Sequence, residues 1–284
     1  MTLGVVHPVG GDYLQLVTRL LQDARLAEPN GGMWEAADLN WWWRADQHDD
    51  PDAQSIWFDG ATPVVGVAFN RFKASLGCDL LGTEGAVSQH AGLLWDLVGE
   101  RFTDRNVEML IREDDPTRIA AAERAGFEAS SERFASGWMD VEDRPPPPPL
   151  PAGFRIASYE GGAHPMVARN GEEVAQRLAE CPLYRPDLDL SLRDGDELAG
   201  YALFWADPVT GVGLLEPMRI EDAYQGRGLS KVLIAAGLER LAAAGCTRLK
   251  VSWEPANEPA ARLYTGAGYR LRSTARNWTR SAGS

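Results

Sequence analysis

Apolar and polar residues alternate over 188–192, where Asp189 and Ser191 separate Leu188, Leu190 and Leu192, and this period of two predicts a half-buried strand. Asp194-Gly195-Asp196 is a turn signal, and the apolar run 198–205 behind it completes a hairpin. A further strand is predicted over 213–220. The period then changes: Leu229, Val232, Leu233, Ala236, Leu238 and Leu241 form a wide apolar arc, which predicts a helix over 229–244 that Gly245 stops. Leu249, Val251 and Trp253 alternate with Arg248, Lys250 and Ser252 as another strand, followed by a short helix over 258–267 and a last strand from Tyr269. An opening strand at 154–156 and a polar helical stretch over 169–180 precede them. The fold class predicted for this half is α+β, a mixed α/β arrangement.

The first half reads in a similar order. Helical stretches at 12–24 and 34–45 come before a hairpin in which Asp59-Gly60 turns between 56–58 and 64–69. A helix at 89–101, a strand at 107–111, a helix at 116–125 and a strand from Phe127 follow. The two halves end alike, with Ala125-Gly126-Phe127 in one and Ala267-Gly268-Tyr269 in the other, and an internal duplication accounts for this economically. Between them lie five prolines, Pro145 to Pro149, then Leu150 and Pro151. Such a run continues neither a helix nor a central strand and favours a stiff extended segment. The domains expected are therefore 1–144 and 152–284, joined by a proline-rich linker at 145–151.

Length and composition fit two globular domains: 284 residues, 44% hydrophobic and 24% charged. No segment approaches the length of apolar chain that a bilayer requires, and the N-terminus lacks a signal pattern, so a cytoplasmic protein with no membrane partner is expected. The net charge is −13, and all of it falls in residues 1–150, since residues 151–284 carry equal numbers of acidic and basic side chains. Without a basic surface, nucleic acid is not an expected partner. Cys78, Cys181 and Cys246 show no metal or paired spacing, and His7, His48, His90 and His164 show neither metal nor triad spacing, so no metal is expected. Trp41, Trp42 and Trp43 either line a substrate mouth or belong to a packed amphipathic helix, and the second reading is favoured.

The chemistry is concentrated in Gln225-Gly226-Arg227-Gly228-Leu229-Ser230, between a predicted strand and a predicted helix. Glycines permit a tight turn and leave no Cβ in the way of a ligand. The free N–H groups and positive dipole end of the helix that follows suit a phosphate or diphosphate, and Arg227 and Lys231 are placed to add charge-assisted bonds. The same residues also suit a plain strand-to-helix turn. Further on, Asn257 is positioned to cap the short helix, and Pro259 sits in its first turn, where a missing N–H does no harm. Asn257, Ala260 and Tyr264 fall near one helical face. Pro217 interrupts the apolar strand 214–220 and predicts a bulge or an edge.

Together these residues resemble the GNAT N-acetyltransferase superfamily. Gln225-x-x-Gly228-x-Ser230 is similar to its Gln/Arg-x-x-Gly-x-Gly/Ala loop, and Asn257-x-x-Ala260-x-x-Leu263-Tyr264-x-x-x-Gly268-Tyr269 is similar to its second signature. The resemblance implies two tandem GNAT-type domains, each a mixed, mostly antiparallel sheet flanked by helices. It implies acetyl-CoA as co-substrate, held by Gln225, Gly226, Arg227, Gly228, Leu229, Ser230, Lys231, Asn257, Ala260 and Tyr264, with Met218, Arg219 and Ile220 lining the thioester. It also implies direct transfer of an acetyl group to the primary amine of a small molecule or peptide. In that scheme backbone N–H groups near Met218 stabilise the oxyanion and Tyr264 serves as general acid. Glu216 either serves as general base, attracts a cationic acceptor or relays a proton through water; strand alternation would set it on the face of Met218 and Ile220 unless a bulge shifts it.

The first half departs from this pattern. Its nearest loop string, Gln89-x-x-Gly92-x-Leu94, puts leucine in the small position, and alignment on Gly126-Phe127 puts Asp115 at the asparagine and Ala122 at the tyrosine. A degenerate first copy is expected, in a chain that is either a monomer with pseudo-dimeric domains or a homodimer. A non-catalytic CoA-binding sensor and an acyltransferase using another acyl-CoA are the alternative functions.

Overall fold

The computed structural model describes residues 3–44, 54–72, 75–101 and 104–283. Among these residues twelve strands and eight α-helices occur in two runs of identical order. The first run is β1 (Gly4–Val6), α1 (Gly10–Ala27), α2 (Ala36–Trp42), β2 (Ser55–Asp59), β3 (Thr62–Phe72), β4 (Ser75–Gly82), α3 (Glu84–Arg101), β5 (Val107–Arg112), α4 (Pro116–Arg124) and β6 (Glu128–Asp140). The second is β7 (Phe154–Ser158), α5 (Val167–Asn170), α6 (Val174–Ala179), β8 (Asp189–Asp194), β9 (Glu197–Ala206), β10 (Val212–Ile220), α7 (Leu229–Ala243), β11 (Arg248–Trp253), α8 (Glu258–Gly266) and β12 (Arg270–Arg280). The duplication extends to single bonds. Asp115 caps α4 by accepting from Arg118 N, and Asn257 caps α8 by accepting from Ala260 N. Each helix then closes through Gly126 or Gly268 at positive φ, with Phe127 N donating to Ala122 O and Tyr269 N to Tyr264 O.

By packing, the chain divides into unit 1, Met1–Ala135 with Ser273–Ser284, and unit 2, Ser136–Arg272. The division falls inside β6 and β12 and not at the polyproline run, which joins β6 to β7 within unit 2. The cause is an exchange of the two final strands. In unit 1, β5 pairs with β12, in register from Ala275↔Arg112 to Arg280↔Val107, and Trp278 joins the core beside Met109, Ala122 and Phe127. In unit 2, β11 has the end of β6 as its neighbour, where Ser136 Oγ lies 3.5 Å from Ser252 Oγ and Val141 N donates to Thr247 O.

Within unit 2 the sheet runs β7-β8-β9-β10-β11-β6, antiparallel from β7 to β10 and parallel between β10 and β11. Leu188, Leu190 and Leu192 are fully buried, but Asp189 and Ser191 are buried too, so β8 is covered on both faces and is not the half-buried strand that alternation predicts. Helix α7 packs on β9 and β10, and the approach is close: a Cβ on Gly237 would meet the Phe204 ring at 2.0 Å. The polar stretch 169–180 forms two short helices instead of one, because Gly171 takes φ 89° between them. In unit 1, Trp41, Trp42 and Trp43 are buried in and just after α2, as a packed helix requires; residue 45 of the helix expected at 34–45 lies outside the described residues, as does His48. Helix α3 starts five residues ahead of the expected 89–101, and β4 was not read from the sequence at all.

Candidate active site

The site forms where β10, α7 and α8 come together. Pro217 marks a bulge: Leu215 pairs with Phe204 and the next pair is Met218 with Ala202, so three positions on β10 face two on β9. The extra residue resets the alternation. Leu215 and Met218 now share a face, and Glu216 does not hold the face of Met218 and Ile220 that unbroken alternation would give it. The Glu216 carbonyl accepts a 2.7 Å bond from Trp205 Nε1, whose ring is fully buried.

Beyond β10 the chain makes a short turn and enters α7. Gln225 Nε2 donates to Ile220 O and to Asp222 Oδ1, and Arg219 Nη2 donates to the same carboxylate, so the loop is tied back to the strand that precedes it. Gly226 and Gly228 take φ of 73° and 75°, a region that side chains with a Cβ rarely occupy. Gly228 is the N-cap of α7 and supplies no side chain, so Leu229 N and Ser230 N have no acceptor among the described residues. Two donors at a positive helix end face a cavity of about 530 Å³.

Most of the residues singled out in the sequence line that cavity: Met218, Arg219 and Ile220 from β10, Gln225, Gly226, Gly228, Leu229 and Ser230 from the loop, and Asn257, Ala260 and Tyr264 from α8. Tyr224, Pro259 and Leu263 line it as well. Glu216, Arg227 and Lys231 do not. The Arg227 guanidinium lies 5.0 Å over the Phe154 ring and 5.4 Å over Tyr224, a cation–π arrangement that pattern alone does not reveal. Lys231 is exposed.

Tyr264 is set by its aromatic neighbours, 5.7 Å from Trp253 and 6.4 Å from Tyr269 between ring centroids. Its hydroxyl has no hydrogen-bond partner among the described residues. Burial, and after it the charge of Glu216, pushes the phenol up to about 12, so it stays protonated through the physiological range. Elsewhere in unit 2, His164 Nδ1 accepts from Met166 N while Nε2 lies 2.8 Å from Asp189 Oδ2, which also accepts from Tyr184. His164 and Asp189 are buried and Tyr184 is half-buried, and none of the three lines the cavity. Among the described residues no cluster of three metal-ligating side chains occurs, and no helix is long and apolar enough to cross a membrane.

A bulged strand, an uncapped glycine turn into a helix and a tyrosine-bearing helix around one cleft define a class. Residues 159–269 match the model of the Acetyltransferase (GNAT) family. Mycothiol acetyltransferase of Kineococcus radiotolerans is 30% identical over 206 residues, covering 65% of this chain and 65% of that protein's length. The protein of the same name from Actinosynnema mirum is 26% identical, covering 82% of this chain and 96% of its own. Among solved structures, a tandem GNAT protein from the clavulanic acid biosynthesis pathway superposes with a TM-score of 0.68 at 17% identity, over 100% of this chain and 99% of its own. A GCN5-related N-acetyltransferase from Sphaerobacter thermophilus gives 0.63 at 14% identity, over 99% and 96%. At these identities the structures establish the tandem fold alone.

Proposed function

We propose that unit 2 is an acetyl-CoA-dependent N-acetyltransferase acting on a primary amine, and that unit 1 is a retained copy without chemistry. The observation that carries this reading is the pair of unaccepted N–H groups at Leu229 and Ser230, in the same cavity as the Tyr264 phenol. Acetyl-CoA would supply an activated acyl carbonyl and a thiolate leaving group.

The chain's own residues meet each need of that chemistry. Gly226 and Gly228 let the backbone approach a diphosphate, and the start of α7 donates to it. Ala260 leaves room along α8 for the pantetheine arm. Backbone N–H at the Met218 bulge stabilises charge on the acyl oxygen. Tyr264 holds the proton that the thiolate requires, and Glu216, whose carboxylate does not line the cavity, receives the one that the amine loses by way of a water molecule. In unit 1 the position of Tyr264 is Ala122, which carries no proton to give.

The relatives' name points to an acceptor related to mycothiol. The test is thiol release from acetyl-CoA over a panel of primary amines that includes such an acceptor. Turnover that depends on one amine class supports the reading. CoA binding with no transfer to any amine converts the protein to a sensor, and failure to bind CoA at millimolar concentration removes the reading altogether.

A further inference from the structure

The two units place the same elements around the same cleft, so their clefts can be compared position by position. In unit 2 the start of α7 is open. In unit 1 the start of α3 is fully occupied by the protein's own oxygens. Glu84 N donates to Glu28 Oε2 at 2.6 Å and Gly85 N to Glu28 Oε1 at 3.4 Å. Ala86 N donates to Thr83 Oγ1 and Val87 N to Thr83 O, which completes the four donors of the first turn. A carboxylate thus sits where an anion would bind to a helix start.

Glu28 is held there by its surroundings. Arg25, buried in α1, donates to the carbonyls of Glu28, Pro29 and Gly31 and pairs with Glu35, which shapes the turn that carries Glu28 across to α3. From the other side, Glu84 accepts from Gly32 N and from Arg112. The second obstruction comes from α4. The shared N-cap bond aligns Arg118 with Ala260, so a long cationic side chain replaces the small residue of α8. Arg118 is 9% exposed, pairs with Asp115, and lines with Glu28 and the end of β4 a cavity of about 20 Å³, against about 530 Å³ in unit 2. That is room for about one water molecule.

We infer that unit 1 keeps a coenzyme cleft that its own Glu28 and Arg118 close, so that the chain binds one coenzyme A and not two. Glu28 stands in for the diphosphate, and Arg118 fills the path of the pantetheine arm. The inference rests on the coenzyme reading of unit 2, and the experiment separates the two. Amide hydrogen exchange of the full chain with and without coenzyme A is expected to slow over 226–231 and to stay unchanged over 83–87. Slowing over 83–87 overturns the inference. No slowing over 226–231 overturns the reading of unit 2 and withdraws the inference with it. In the variant Glu28→Ala with Arg118→Ala, equilibrium dialysis is expected to rise from one to two equivalents of coenzyme A per chain. A folded variant, by circular dichroism and melting, that still takes one equivalent shows that these side chains are not what closes the cleft.

Discussion

Trp205 donates its indole N–H to the main-chain oxygen of Glu216 across 2.7 Å, and so anchors the β10 bulge from the neighbouring strand. The oxygen it holds belongs to a peptide two residues before Met218, where the proposed transfer calls for fixed backbone donors. Trp205→Phe keeps an aromatic ring against Tyr184, 6.3 Å away between centroids, but removes the donor. The expected outcome is a fall in kcat of about tenfold, equivalent to about 1.4 kcal/mol in the transition state. Coenzyme affinity should stay within about twofold, because the loop at 225–230 is untouched. Steady-state kinetics beside a melting curve check this. Equal losses in kcat and in coenzyme binding would mean that the indole supports the fold and nothing more.

Tyr264 yields a prediction in pH as well as in rate. Its phenol is pushed up to about 12 by burial and then by the Glu216 charge, so the protonated form persists well above the ordinary tyrosine range. An acid must be protonated to act, so the Tyr264 limb of the kcat profile should remain level to about pH 11. Tyr264→Phe should lower kcat by about 100-fold and leave the coenzyme Kd nearly unchanged. The folding linkage has the same sign. A phenol raised in the folded state favours folding below its ordinary value, and this contribution is lost as pH climbs from about 10 to about 12. An alkaline limb centred near pH 8 that vanishes in Tyr264→Phe would contradict the assignment.

The sequence showed most of this cleft because local chemistry builds it. Asn257 caps α8 by bonding three residues on, and Gly228 turns the chain by its own φ. Both are readable from spacing. Strands β8 and β11 were legible from their alternating residue types and β9 from its continuous apolar run, which is buried on both faces. β4 was not: Gly77, Cys78, Asp79 and Gly82 break any alternation, and a buried carboxylate at Asp79 resembles a loop residue. Other features depend on partners far along the chain. β6 and β12 carry nearly the same local signal, so nothing in either strand says that β5 pairs with β12. Likewise Asp115 and Ala122 were visible as departures from the α8 pattern. The consequence of Arg118 between them was not, since it needs Glu28 from a different helix. The Arg227 stacking on Phe154 and the Trp205 anchor are of the same long-range kind.

Gly228 has open space around the Cβ it lacks, so a substitution there meets strain from φ and not from crowding. Gly228→Ala should cost about 1–2 kcal/mol of stability, the penalty for a left-handed L-residue. Its methyl would also project beside the unaccepted N–H groups of α7, and the coenzyme Kd should rise about tenfold or more. Gly228→Asn, better tolerated at positive φ, should recover stability and not affinity. Calorimetric titration with coenzyme A against thermal melting distinguishes the two effects. Recovery of both in Gly228→Asn would assign the glycine to backbone conformation alone.

Asp79 offers a test in unit 1 that is independent of any ligand. The carboxyl is buried, accepts from Trp34 Nε1 at 2.9 Å, and is pushed up to about 7, chiefly by burial and further by the charges of Asp38 and Glu108. A carboxyl raised in this way favours the folded state fully below its ordinary value near 4, and that advantage is lost as pH rises to about 7. Asp79→Asn keeps an acceptor for the Trp34 indole and removes the ionisation. The variant should therefore gain on the wild type between pH 5 and pH 8 by about 2 kcal/mol, with no further gain above that. Denaturant midpoints for both proteins at the two pH values measure it, and other titrating groups cancel in the difference. A gap between the two proteins that is the same at both pH values would mean that Asp79 titrates as an ordinary carboxylate, with water reaching it in the folded state.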